Sequence, residues 1–158
     1  MRPPKYPLES LAQVRKRAVD AAVGRLASAV KARDAAARAR QVAEDARREH
    51  ERAAARVREG ERDALERGEL SAADLARGET WASRIAAERA RLNAGVERTK
   101  SAEAEASDGQ LKAQAGLASR RADADVVQKD RSRWDDARKK AAEAREEDAA
   151  SEAWRPKR

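Results

Sequence analysis

Cysteine and phenylalanine are both absent from this 158-residue chain, and three Trp and one Tyr are its only aromatic residues. Without cysteine there is no disulfide, no thiolate nucleophile and no sulfur-ligated metal, so redox chemistry says nothing about compartment. Proline occurs only at positions 3, 4, 7 and 156. Large aliphatic residues are scarce as well: nine Leu, one Ile and nine Val make up 12% of the chain. So few bulky side chains cannot enclose a pocket, because alanine brings little area to bury. A compact globular enzyme is thereby excluded. No apolar run approaches the roughly 18 residues needed to span a membrane. The opening Met1-Arg2-Pro3-Pro4-Lys5-Tyr6-Pro7 lacks the apolar core of roughly 7–15 residues found in a signal peptide, so the cytoplasm is the expected location.

What is present is helix-forming. Alanine alone accounts for 40 residues, and Ala, Glu, Lys, Leu and Arg together make up 102 of the 158. That composition belongs to long helices and coiled coils. The proline-free interior fits continuous helix, with Pro7 suited to a first turn, Ser10 or the residues before it as a cap, and Pro156 as the far limit. The best interruption lies between Arg67 and Thr80, where Gly68 and Gly78 flank Ser71-Ala72-Ala73-Asp74. A hydroxyl followed three residues later by a carboxylate resembles a capping box. Gly68 is therefore predicted as a helix stop, 71–77 as a short helical turn and Gly78 as the start of the second helix. The predicted fold is all-α: a long antiparallel two-helix coiled-coil hairpin forming a single domain over 1–158. Helix 1 is predicted at about 8–67, the connector at about 68–78 and helix 2 at about 79–154. At 1.5 Å per residue the helices would be roughly 90 and 115 Å long. The competing reading is one unbroken helix that tolerates its glycines.

Hydrophobic spacing gives a diluted heptad seam in helix 2. The series Ile85, Leu92, Thr99, Ala106, Ala113, Arg120, Val127, Trp134, Ala141 is mostly apolar. Its companion four residues on, from Arg89 and Val96 to Arg138, is less so. Helix 1 carries its large residues early, at Leu8, Leu11, Val14, Val19, Val23, Leu26 and Val30. A fold-back near residue 73 would set Tyr6–Val30 beside Gly116–Lys140. Leu117, Val126, Val127 and Trp134 would then face that Leu/Val-rich start, and residues after about 141 would overhang with Trp154 free for a partner. With so thin a core, the isolated hairpin is expected to be marginal and to fray at its Ala-rich middle.

Charge is segregated within the net +7: residues 1–40 carry +7, 41–109 carry −3 and 110–158 carry +3. A fold-back gathers both basic segments at the terminal end, a slender cationic surface suited to an acidic partner. Chemistry is missing. His50 stands alone in a charged stretch and reads as solvated. Adjacent pairs such as Asp135-Asp136 and Glu146-Glu147 diverge on a helix and cannot share acid/base work. No phosphate loop, nucleophile elbow or metal motif occurs. No enzymatic activity, cofactor or metal is expected, and function must be binding or mechanical.

Three stretches resemble the FliJ/YscO family of flagellar and type III secretion export stalk proteins. They are Lys5-Tyr6-Pro7-Leu8-Glu9-Ser10-Leu11 running into Val14-Arg15-Lys16-Arg17, the connector Gly68 to Leu75 followed by Trp81 and Ile85, and Arg133-Trp134-Asp135-Asp136 running into an acidic segment. The resemblance implies a two-helix antiparallel coiled coil, similar to a rotary-ATPase shaft. Its terminal end would enter the hexameric export ATPase, with Leu8, Leu11, Arg15, Arg17 and Trp154 as the contact candidates. A surface near the connector would engage the cytoplasmic domain of the export-gate protein through Trp81 and Ile85. Secretion chaperones are further implied partners, and the implied location is cytoplasmic, peripheral to the inner membrane through the apparatus, without direct membrane insertion. The chain departs from the family pattern in lacking aromatics on helix 1 beyond Tyr6.

Two other functions compete from the residues alone. A structural coiled coil would oligomerise. A basic coiled coil could bind nucleic acid through phosphates, but stacking aromatics are missing and acids interleave the bases, so no nucleic-acid partner is expected.

Overall fold

The computed structural model describes residues 5–154, apart from the side chain of Leu75. Two α-helices make up the fold, α1 (Glu9–Glu66, 58 residues) and α2 (Ala72–Ala153, 82 residues), with no strand among the described residues. It is an all-α helical hairpin.

Capping explains three of the four helix ends. At the start of α1 the Leu8 carbonyl accepts from Ala12 N–H at 2.9 Å, and the Tyr6 carbonyl from Glu9 N–H at 3.2 Å. Glu9 then sits in the first turn, where a carboxylate complements the helix dipole. Ser10 is inside the helix rather than capping it. At the far end Gly68 takes φ +69°. Its N–H reaches the Leu65 carbonyl at 3.0 Å and Glu69 N–H reaches Ala64 at 3.0 Å, the paired bonds of a Schellman stop. Three residues on, Ser71 and Asp74 cap each other: Ser71 N–H donates to Asp74 Oδ2 at 2.9 Å, and Asp74 N–H to Ser71 Oγ at 3.2 Å. The Ser71 hydroxyl, its backbone N–H and the Arg77 guanidinium together pull the Asp74 carboxyl down to about 2.

This box starts α2 itself, which corrects the predicted connector. The turn occupies 67–71, not 68–78, and residues 71–77 are not a separate helical turn. Gly78 lies inside α2, where an added Cβ would meet only Glu61 Oε1 at 3.9 Å. Nothing there requires a glycine, whereas the left-handed Gly68 does.

A paired substitution tests this. Gly68→Ala is expected to destabilise by about 1 kcal/mol, since a left-handed alanine is strained. Gly60→Ala, in an open helical site, is expected to stabilise by about 0.5–1 kcal/mol. Urea unfolding followed by circular dichroism reads both, and equal shifts in the two variants would refute the Gly68 stop.

The chain divides into two compact units, Met1–Ala27 with Lys112–Arg158, and Ser28–Leu111. In the first, here the terminal unit, Tyr6, Ala22, Leu117 and Val127 are buried. Ion pairs Arg15–Asp123 (2.9 Å) and Glu9–Arg131 (3.1 Å) tie antiparallel helices across. In the second, the connector unit, Ala54 and Val96 are buried. There Arg40 bridges Glu44 on its own helix at 2.8 Å and Glu103 on the other at 3.0 Å.

The inward positions of α2 follow the predicted heptad closely. Ile85, Leu92, Thr99, Ala106, Ala113, Val127 and Trp134 are buried or half-buried, as are Val96, Glu103, Gln110, Leu117, Ala124 and Arg131 from the companion series. Thr99 tolerates its place because its hydroxyl donates to the Val96 carbonyl at 2.9 Å. Arg120, Ala141, Arg89 and Arg138 fall outside the packed layers and are exposed.

Helix α1 keeps only part of the expected apolar face, with Val19, Leu26 and Val30 half-buried. Its inward positions are Ala12, Val19, Leu26, Arg33, Arg40, Arg47 and Ala54, interleaved with Arg15, Ala22, Ala29, Ala36, Ala43 and His50. Leu8, Leu11, Val14 and Val23 are exposed, and so is Val126 on α2 at 68%. The seam mixes small residues, which let backbones approach, with the half-buried Val19, Leu26 and Val30 and the stems of inward arginines.

Candidate partner-binding surfaces

In the connector unit, Trp81 and Ile85 stand half-buried beside a groove of about 170 Å³. They are four residues apart and thus share one face of α2. Three alanines line it: Ala54 of α1, at 4% exposure, and the exposed Ala82 and Ala86 of α2. Arg58 and Arg89, both exposed, line it as well, as does the half-buried Glu51 of α1. Trp81 and Ile85 also line a second hollow on their other side, with Arg84, Glu88 and Arg91. Arg91 grips Glu88 at 2.6 Å and holds its carboxyl below the usual range, with a smaller contribution from His50.

His50 lines both hollows. Its two ring nitrogens are shielded and have no hydrogen-bond partner among the described residues. The expectation of a solvated histidine is therefore wrong. Its neighbours in sequence are charged, but position 50 falls on the inward face of α1, a placement visible only once the alanine seam is known.

In the terminal unit an aromatic clasp holds the start of the chain to α2. Tyr6 is 6% exposed, and its ring meets Trp134 edge-on with centroids 5.6 Å apart at 63°. The hydroxyl donates to Asp130 Oδ2 at 2.5 Å, and the Arg131 guanidinium lies 5.8 Å from the Tyr6 ring centroid. Arg138 covers the Trp134 ring at 4.8 Å. Trp134 is the last half-buried residue of α2, and every described residue from Asp135 to Trp154 is exposed. The unpacked stretch thus begins earlier than the expected position 141.

The family model described as YscO-like protein matches residues 3–153, almost the whole chain. The chain belongs to the YscO-like family. That makes it a protein related to type III secretion. No curated protein and no solved structure matches it.

The contact candidates of this YscO-like chain fall into different environments. Leu8 and Leu11 are exposed at 42% and 37%, and Trp154 at 89%. Arg17 is exposed with no ion pair among the described residues. Arg15 is half-buried and already committed to Asp123, so it braces the hairpin. Trp81 and Ile85 are brought together, and sequence reasoning placed them on one surface. It missed Arg58, Arg89 and His50, which complete that surface from α1 and the next turn of α2. It also missed Tyr6 as a buried residue; its aromatic ring, in a chain nearly without them, was the available signal. Among the described residues no helix is long and apolar enough to cross a membrane, and no group of three His, Asp or Glu residues is placed to hold a metal.

Proposed function

We propose that this YscO-like chain is a non-enzymatic stalk and adaptor of a type III protein export apparatus. Its terminal end docks in the hexameric export ATPase, and its connector side engages the cytoplasmic domain of the export-gate protein. Secretion chaperones are further partners, and the protein works in the cytoplasm at the inner-membrane apparatus. One observation carries the reading beyond the family: the hairpin's own packing leaves Leu8, Leu11, Arg17 and Trp154 unused. A cation and apolar groups left unpacked along the terminal segments suit an acidic lumen with apolar anchor points.

Arg17→Glu tests the docking half better than a change at Arg15, because Arg15→Glu would also break the pair with Asp123. The Arg17→Glu variant is expected to keep its helicity and to lose at least half of its stimulation of the partner ATPase at low salt. Trp154→Ala should act in the same direction. Full stimulation in the double variant Arg17→Glu/Trp154→Ala would refute docking through this end.

A further inference from the structure

We propose that the Trp81 groove takes a single apolar side chain from an acidic peptide segment, whose flanking carboxylates meet Arg58 and Arg89. This deepens the connector-side half of the proposed function and rests on that reading only for the identity of the partner.

Size comes first. The groove of about 170 Å³ is close to the roughly 150 Å³ that accommodates a benzene ring in an apolar protein cavity. It therefore suits one leucine or phenylalanine side chain. The small alanines leave the space, and Trp81 and Ile85 wall it, giving an apolar bed with an aromatic face.

The sign of the rim follows from which charges are already spent. Residues 41–109 as a whole sum to −3, so an acidic surface would be the first guess. Near Trp81, Glu88 is held by Arg91 at 2.6 Å, and Glu51 lies in a long contact with Arg47 at 3.8 Å. Arg58, Arg84 and Arg89 have no ion pair among the described residues. Arg58 makes only a bond from its Nε to the Ala54 carbonyl, at 3.2 Å. The next hollow toward the connector is acidic by count, since Glu61, Glu79 and Asp74, the last paired with Arg77, line it along with Arg58 and Arg62. Arg58 and Arg89 in the lining and Arg84 beside Trp81, set against Glu51, thus leave the apolar bed with a positive rim.

The experiment uses the full chain, labelled with nitrogen-15 to resolve the three tryptophan indoles. The probe is a 14-residue alanine-based helical peptide with a central Leu flanked by four Glu. Two companions carry Lys in place of Glu, or Ala in place of Leu. The Glu/Leu peptide is expected to shift the Trp81 indole and leave those of Trp134 and Trp154 in place. Arg58→Glu/Arg89→Glu should weaken it at least about tenfold and transfer the preference to the Lys peptide. Equal binding of the Glu and Lys peptides, or binding indifferent to the charge reversal, overturns the inference.

The export-gate cytoplasmic domain separates this inference from the reading beneath it. If that domain is lost by Trp81→Ala but kept by Arg58→Glu/Arg89→Glu, the acidic-segment inference falls and the gate reading stands. If it binds regardless of either variant while the peptide behaves as expected, the gate reading falls and the groove's preference stands.

Discussion

Val96→Asp is expected to cost the hairpin at least about 3 kcal/mol, because it removes apolar burial and leaves a carboxylate to be desolvated or protonated. Val96 is 1% exposed, the largest fully buried side chain among the described residues. Among the described residues of the connector unit only Ala54 joins it as buried core, so neighbouring layers cannot absorb the loss. The control is Val126→Asp, at a site 68% exposed, where a surface change should stay within about 0.5 kcal/mol. Urea unfolding monitored at 222 nm measures both. A Val96→Asp cost below about 1 kcal/mol would mean that α1 and α2 do not pack at this layer. Hydrogen exchange should place the damage in Ser28–Leu111.

The single tyrosine gives the second large effect. Its hydroxyl donates to Asp130, it is buried, and ionising it beside that carboxylate is unfavourable, so its pKa is pushed from 10.0 up to about 12. The nearby Arg131 works weakly the other way. Because the folded value lies above the unfolded one, the neutral phenol favours the folded clasp. That contribution is complete below pH 10 and is lost as the pH rises through about 12. Tyrosinate absorbance near 295 nm should therefore titrate with a midpoint near 12, and near 10 in strong urea. Asp130→Asn removes the principal cause and should bring the folded midpoint down toward 10. A wild-type midpoint at 10 would show that Tyr6 is not held as described. Trp134 emission offers a second view, with a shift to the red as the ring facing it leaves.

How much of this was legible depended on which residue types marked the buried face. Helix α2 could be read because its larger residues, Ile85, Leu92, Val96, Leu117, Val127 and Trp134, sit on its seam, and their seven-residue spacing survives dilution. The turn was legible through its chemistry: a left-handed position needs Gly68, and a hydroxyl–carboxylate box needs Ser71 and Asp74. Gly78 misled because a glycine is permissive, and permission is not a turn. Helix α1 hid its face for a reason built into the composition. With 40 alanines in the chain, small residues fall on every side, and alanine at Ala22, Ala29 or Ala36 gives no sign of being inside. The visible marks are split: Val19, Leu26 and Val30 lie on the seam, whereas Leu8, Leu11, Val14 and Val23 are exposed. His50 and Arg15 were misplaced for the same reason, since their burial follows from that seam. The contact surfaces were legible in their aromatic and aliphatic anchors, whereas the charges that give them a sign depend on which ion pairs form.

A seam of alanines also bears on how the two helices find their alignment. One alanine layer is much like the layer seven residues on, so apolar packing alone scarcely separates the native pairing from one slid by a heptad. Sliding α2 by seven residues would set Tyr6 beside Ala141 instead of Trp134, and would part Arg15 from Asp123. Exposed charged pairs of this kind add little to stability. Yet Arg15–Asp123 and Glu9–Arg131 in one unit, and Arg40–Glu103 in the other, run across the helices, whereas Arg91–Glu88 and Lys100–Glu97 run along one. With the aromatic clasp, the crossing pairs act as the pins of a lock: they do little of the holding, but they admit one alignment out of several that are otherwise nearly equal.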